Sequence, residues 1–204
     1  MTGAAFSAVG SVMQTSESMK TVSGEEDPRA FSRQHGSTRL LSHTTDTDTI
    51  DRVREGLRSH DPVIRAESVD ALALLNDALG LVSALGSFDP YLRERAAKAL
   101  ALLGGPQITW RLVRHGWDAV PRVRCAVAHS LGQRGGWVAR WMLSHLTTDA
   151  DALVRYAALC ALAQVDTRRA RLRLRAAQTQ DEHPWIRDAA AALLRRCETT
   201  SVRR

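Results

Sequence analysis

Behind each of five evenly spaced arginines, apolar side chains recur at helical intervals. Leu72, Leu100, Leu131, Leu162 and Leu194 stand seven residues after Arg65, Arg93, Arg124, Arg155 and Arg187. Three residues after the same arginines stand Ser68, Ala96, Val127, Ala158 and Ala190, and six after stand Ala71, Ala99, Ser130, Ala161 and Leu193. An apolar residue also precedes each arginine. Together these positions make one buried stripe on a helix, with small residues where neighbouring helices come close.

The start of each helix is equally regular. The five segments are Asp61-Pro62-Val63-Ile64-Arg65, Asp89-Pro90-Tyr91-Leu92-Arg93, Val120-Pro121-Arg122-Val123-Arg124, Asp151-Ala152-Leu153-Val154-Arg155 and His183-Pro184-Trp185-Ile186-Arg187. Proline is tolerated in a first helical turn because its missing N–H would have no intrahelical partner there. An aspartate just before it can cap the open N–H groups. The arginines lie 28, 31, 31 and 32 residues apart, which is room for one helical hairpin per repeat.

Shorter amphipathic segments fill the intervals: 49–59 (Ile50, Val53, Leu57 inward), 77–86 (Val82, Leu85), 106–116 (Ile108, Leu112), 136–147 (Val138, Trp141, Met142) and 167–179 (Ala170, Leu174, Ala177). Gly104-Gly105 and Gly135-Gly136 break the chain between repeats. The pattern predicts an all-α solenoid of about five hairpins and about ten helices over residues 48–197. Repeats are expected at about 48–76, 77–105, 106–134, 135–165 and 167–197. Residues 1–47 are rich in Ser, Thr and charge, ending in Thr44-Thr45-Asp46-Thr47-Asp48-Thr49, and are expected to be a disordered tail. Residues 198–204 are expected to be a short basic tail.

Composition agrees. Ala and Leu supply much of the 44% apolar content and aromatics only 5%, a mix suited to close-packed helices rather than a β-sandwich. Ala4–Val12 is short and has no Lys or Arg ahead of it, and Glu25, Glu26 and Asp27 precede the first arginine. Neither a secretory leader nor a mitochondrial presequence is expected, nor a transmembrane segment. Cys125, Cys160 and Cys197 form no CxxC pair, so reduced thiols in a cytoplasmic protein are expected.

The recurring Asp-x-x-Val-Arg-x-x-Ala-x-x-Ala-Leu pattern resembles the HEAT repeat family, in particular its short-repeat branch named after phycobilisome lyase. The resemblance covers about three-quarters of the chain. It implies that the arginine-bearing helices line a concave face and that Asp61, Asp89 and Asp151 pair with Arg65, Arg93, Arg124, Arg155 and Arg187 as a structural ladder. Copies three and five carry Val120 and His183 where the family has Asp, and Asp118 and Asp181, two residues earlier, are the candidate substitutes.

The variable positions of the same helices point to binding. Arg122, His129, Leu153, Tyr156 and Trp185 are the expected contacts of a partner on the concave face, because aromatic side chains beside small residues suit peptide or helix docking. Charge adds a second surface. Residues 1–48 carry a net −2, residues 49–105 a net −1 and residues 106–204 a net +9. Arg111, Arg114, Arg140, Arg168, Arg171 and Arg175 are candidates for contact with nucleic acid or another acidic partner, with Trp110, Trp137 and Trp141 interleaved. Trp137 and Trp141 lie four apart on the expected inward stripe, so their rings are expected to be buried between repeats.

No Ser/His/Asp set, Gly-rich phosphate loop or paired acids stand out. His115, His129 and His145 have no neighbouring glutamate of the His-Glu kind that HEAT-like deoxyhypusine hydroxylases use to hold iron. A reactive thiol at Cys125 would require Arg122 or Arg124 to depress its pKa. The sequence thus predicts a scaffold or adaptor that takes a protein partner on its concave face, with no cofactor and no metal. Nucleic-acid binding through the basic half is the alternative, and an accessory subunit or relative of a HEAT-like enzyme of the bilin-lyase or hydroxylase type is a third reading.

Overall fold

The computed structural model of the protein describes residues 47–165 and 168–201. Of the tail expected over residues 1–47, residues 1–46 lie outside the described residues, as do 202–204, while Thr47 already opens the first helix. The chain divides into two compact units, residues 1–75 and 76–204.

The first unit contributes one hairpin, α1 (47–56) and α2 (Pro62–Leu74). Asp61 caps α2 by accepting from the Val63 N–H at 2.8 Å, and Pro62 stands in the first turn. Val69 and Leu72 are fully buried, and Ser68 turns its hydroxyl back onto the Ile64 carbonyl at 2.7 Å.

The second unit holds four hairpins: α3 (Ala78–Leu85) with α4 (Pro90–Leu100), α5 (Pro106–Arg114) with α6 (Pro121–Arg134), α7 (Gly136–Leu146) with α8 (Ala152–Val165), and α9 (Arg168–Gln180) with α10 (Pro184–Ser201). A 3₁₀ turn, His115–Trp117, follows α5. Helices α4, α6, α8 and α10 carry the repeated arginines and pack in sequence, each on the next, as one row. Helices α3, α5, α7 and α9 form the opposite row, each paired with its hairpin partner. Among the described residues there are ten α-helices and no strand, as the periodicity predicts.

The stripe positions make the core. Leu92, Val123, Val154 and Ile186, the residues just before the arginines, are at most 1% exposed. Leu100, Leu131 and Leu162 are equally buried, and so are Ala96, Val127, Ala158 and Ala190. Gly132 lets α6 approach α8 closely: a Cβ there would lie 2.7 Å from Ala161 Cβ. One boundary differs from expectation. Helix α10 continues to Ser201 rather than stopping near Cys197, because no glycine or proline interrupts the last turn.

Candidate functional site

Each repeated arginine first secures the loop ahead of its own helix. Arg65 donates through Nη1 to the carbonyls of Ser59 and His60, both at 3.0 Å. The same pair of bonds recurs from Arg93 to Ser87 and Phe88, from Arg124 to Asp118 and Ala119, from Arg155 to Asp149 and Ala150, and from Arg187 to Asp181 and Glu182. A planar guanidinium has five donors, so one edge remains for another task.

In the second unit that edge reaches the next repeat. Arg93 forks the Asp118 carboxylate at 2.7 and 2.8 Å, Arg124 forks Asp149 at 2.8 and 2.7 Å, and Arg155 forks Asp181 at 2.8 and 3.1 Å while also touching Glu182 at 3.0 Å. The ladder therefore exists in the second unit, and two of its acids, Asp118 and Asp181, are the candidate substitutes in copies three and five; the third, Asp149, takes the place expected of Asp151. Asp61, Asp89 and Asp151 cap helices, accepting from the N–H groups of Val63, Tyr91 and Leu153. The acid on the arginine stands six residues before the next repeat's arginine, at the start of the loop, where its side chain reaches back across the junction. The same three aspartates each accept from the backbone N–H two residues on, which holds the carboxylate in place.

Burial, the largest single influence on each acid, would raise the pKa of Asp118, Asp149 and Asp181. The bonds from Arg93, Arg124 and Arg155, the backbone N–H bonds and nearby positive charge outweigh it, and all three are held below the usual carboxylate range. The hydrogen bonds to these acids raise the arginines in turn. Another arginine works without a carboxylate. Arg134 donates to Thr109 Oγ1 at 3.0 Å and to the carbonyls of Leu100, Leu103 and Gly105, tying down the end of α4 and the Gly104-Gly105 loop. Cys125 is not activated. Burial, then Asp151 and Asp149, push its thiol up to about 11, and Arg124 offsets little of that.

On the open side of the arginine row, Tyr156 and Trp185 stand with ring centroids 5.5 Å apart, both well exposed, beside Leu153, which is 63% exposed. Toward α4 a groove of about 600 Å³ runs between Glu94, Lys98, Arg122, Cys125, His129 and Leu153. Its charges are balanced: Glu94 binds Lys98 at 2.7 Å and Arg122 at 3.0 Å. His129 lies 2.8 Å from the Gln133 amide. Of the expected contacts, Arg122, His129 and Leu153 line this groove, and Tyr156 and Trp185 pair with each other on the same row.

The opposite row departs from expectation. Trp137 and Trp141 are exposed, at 69% and 54%, because Ala139, Met142, Leu143 and Leu146 fill the inward stripe of α7 instead. Trp110 packs edge-on against Trp137 at 6.2 Å, and Trp117 tilts against Trp141 at 5.8 Å. Trp117 donates its indole N–H to His145 Nε2 at 3.2 Å. Gly116 makes this placement possible, since a Cβ there would strike Met142 Cε at 2.3 Å. Arg111, Arg114, Arg168 and Arg175 are exposed on the same row and Arg140 and Arg171 are half-buried; Arg175 lies 4.0 Å from Glu198. His115 sits 3.7 Å from Asp118, and its pKa is lowered, first by burial. Among the described residues no three His, Cys, Asp or Glu side chains converge as a metal-binding group, and no helix is long and apolar enough to cross a membrane.

No protein-family model matches the chain, and no curated protein sequence does either. Solved structures do. The chain is similar to a chain of the complex of CpcE and CpcF of phycocyanin lyase from Nostoc sp. PCC7120, with a TM-score of 0.61, 20% identity, and 72% of this chain and 98% of that one covered. It is similar to human deoxyhypusine hydroxylase in complex with glycerol (TM-score 0.51, 17% identity, 78% and 80% covered). A designed armadillo repeat protein in complex with the peptide (KR)4 is also similar (TM-score 0.50, 15% identity, 77% and 85% covered). These likenesses show a HEAT-like helical repeat fold, which among the similar structures serves both enzymes and peptide-binding scaffolds.

Proposed function

We propose that the protein is a non-catalytic adaptor that holds a protein partner on the open side of its arginine row. The observation that carries this reading is the exposed Tyr156–Trp185 pair with Leu153 beside it, at the end of a charge-balanced groove. A soluble helix row has no packing reason to leave three such side chains together at its surface, and aromatic anchors of this kind dominate binding energy at interfaces. Glu94, Lys98, Arg122 and His129 supply polar contacts along the groove. Two of the similar structures, the CpcE–CpcF complex and the armadillo–peptide complex, support the reading by holding a protein or peptide partner on the same kind of fold.

The test is selection of binders from a random-peptide library on the intact protein. Selected peptides are expected to be rich in apolar anchors and to weaken by about 30-fold or more against Tyr156→Ala/Trp185→Ala, the loss of about 2 kcal/mol that such anchors carry. The protein is expected to stay folded with a single cooperative melt, lowered by a few degrees at most, since the two rings are partly covered but outside the core. Peptides that bind the double variant as well as the parent would show that this surface is not the site.

A further inference from the structure

The opposite row carries a feature that the adaptor reading does not use. Residues 106–117, 136–146 and 168–180 make up α5 with its 3₁₀ turn, α7 and α9, and they contain two, one and five arginines, eight in all, and no Asp or Glu. Among the described residues the acids of the second unit sit in loops or on the arginine row, three of them in the ladder. Arg111, Arg114, Arg140, Arg168, Arg169 and Arg173 make no ion pair among the described residues, although Arg173 also borders a recess that holds Asp149, Asp181 and Glu182. An ordinary solvated face interleaves both signs of charge along its helices; these three segments carry only one, with acids at their edges, Asp118, Asp181 and Glu198.

The tryptophans share the same row. Four of the five in the chain, Trp110, Trp117, Trp137 and Trp141, lie here, each more than half exposed. Their rings are held by one another and, for Trp117, by the bond to His145, so their orientation is fixed before any ligand arrives. Beside them a groove of about 860 Å³ runs between α7 and α9, with Trp137, Trp141 and Arg140 on one wall and Arg169, Leu172 and Arg173 on the other.

We propose that this face binds single-stranded nucleic acid, with the arginines contacting phosphates and the tryptophan rings stacking on bases. Three features select this occupant. The surface is a recess rather than a protruding apolar wedge, which fits a flexible strand and not a flat bilayer. The rings are fixed, with the indole N–H of Trp117 already satisfied, which suits a stacking platform rather than a side chain that seeks lipid headgroups. Arginine alone would serve an acidic peptide, whereas bases use the rings as well. Trp185 and Tyr156 stand on the other row, so the two binding surfaces are independent.

The experiment is fluorescence anisotropy of the full chain with labelled 15-mers of dT and rU, titrated with salt. Duplex DNA, phosphatidylserine vesicles and a poly-aspartate peptide are run alongside. The single strands are expected to bind best, with a log–log salt slope near −3, the value for about four phosphates at about 0.7 each. Arg140→Ser/Arg169→Ser/Arg173→Ser is expected to weaken binding at least 10-fold and to flatten the slope by about 2. Trp137→Leu is expected to weaken binding by about 5-fold or more with the slope unchanged, as loss of one stacked base does. Tyr156→Ala/Trp185→Ala is expected to leave it unaltered. None of these side chains is in the core, and circular dichroism with melting curves checks that each variant is folded. The proposal is overturned if no single strand binds at about 50 mM salt, well below physiological ionic strength. It is equally overturned if the triple variant binds normally, if Trp137→Leu has no effect, or if duplex, vesicles or poly-aspartate bind as tightly as the single strands.

Discussion

Leu131→Ala is expected to destabilise the second unit by about 2–5 kcal/mol, the cost of deleting a large aliphatic side chain from a packed core. Leu131 is fully buried on α6, the helix with both α4 and α8 as neighbours in the arginine row. Its surroundings have little freedom to collapse into the void. Gly132 presses α6 onto α8 at Ala161, and the Ser130 hydroxyl, itself fully buried, lies 2.7 Å from the Ala97 carbonyl on α4. The upper half of the range is therefore the expectation. Stability in a repeat array is a sum of units and interfaces, so a middle lesion weakens the coupling on both sides. Urea unfolding should show a lower midpoint and a broader, less cooperative transition. The same change at Leu194, near the last helix end and 6% exposed, should cost less and leave cooperativity intact. Equal costs at the two positions would refute the repeat-wise account.

The repeat period was the most legible part of the sequence because it is written several times over. Arginine spacing, the leucine seven residues on and the small residues between them all reinforce one register, and each places a residue in the core. The acid partners of the ladder were harder to identify. Asp-Pro pairs advertise the caps Asp61 and Asp89, and Asp151, followed by Ala152, is a cap as well. The partner position, six before each arginine, reads Ser59, Ser87, Asp118, Asp149 and Asp181. Asp118 and Asp181 stand out there because copies three and five lack the aspartate before the helix, whereas Asp149 is masked by Asp151, which its copy also carries.

The tryptophans were misplaced for a different reason. Helix α7 is short and offers two apolar stripes, Val138–Trp141–Met142 and Ala139–Met142–Leu143–Leu146. Periodicity cannot choose between them. Close packing does: Ala139 is fully buried where a larger side chain would hold the helices apart, and the rings at 137 and 141 are turned outward. The candidate contacts on the arginine row needed no such choice, because a stripe already fixed by four buried positions leaves the rest of the helix for the surface.

The ladder carries the second large effect, and acid should reveal it. Asp149→Ala removes both bonds that hold the Nε and Nη2 edge of Arg124, together with the acceptor for the Asp151 N–H at 2.8 Å. The pair is largely shielded from water, with 14% and 10% of the two side chains exposed. Stranding one charge in such a place costs about 3 kcal/mol or more, whereas removing both partners costs much less than the sum. A double-mutant cycle with Arg124→Met should therefore show strong coupling, and additive effects would mean that the fork contributes little. The pH dependence follows from the same contacts. Because Asp118, Asp149 and Asp181 have folded pKa values below those of the unfolded chain, the unfolded state takes up protons first as pH falls. Their contribution is complete above the unfolded value of about 3.9 and is lost as pH drops through the depressed folded values. Thermal melts should vary little between about pH 5 and 7 on account of these three groups, then fall steeply below about pH 4. Asp149→Ala should start lower and fall less steeply over that acid range, since one of the three protonation sites is gone. An acid limb as steep in the variant as in the parent would show that the pH sensitivity resides elsewhere than in the Arg124–Asp149 fork.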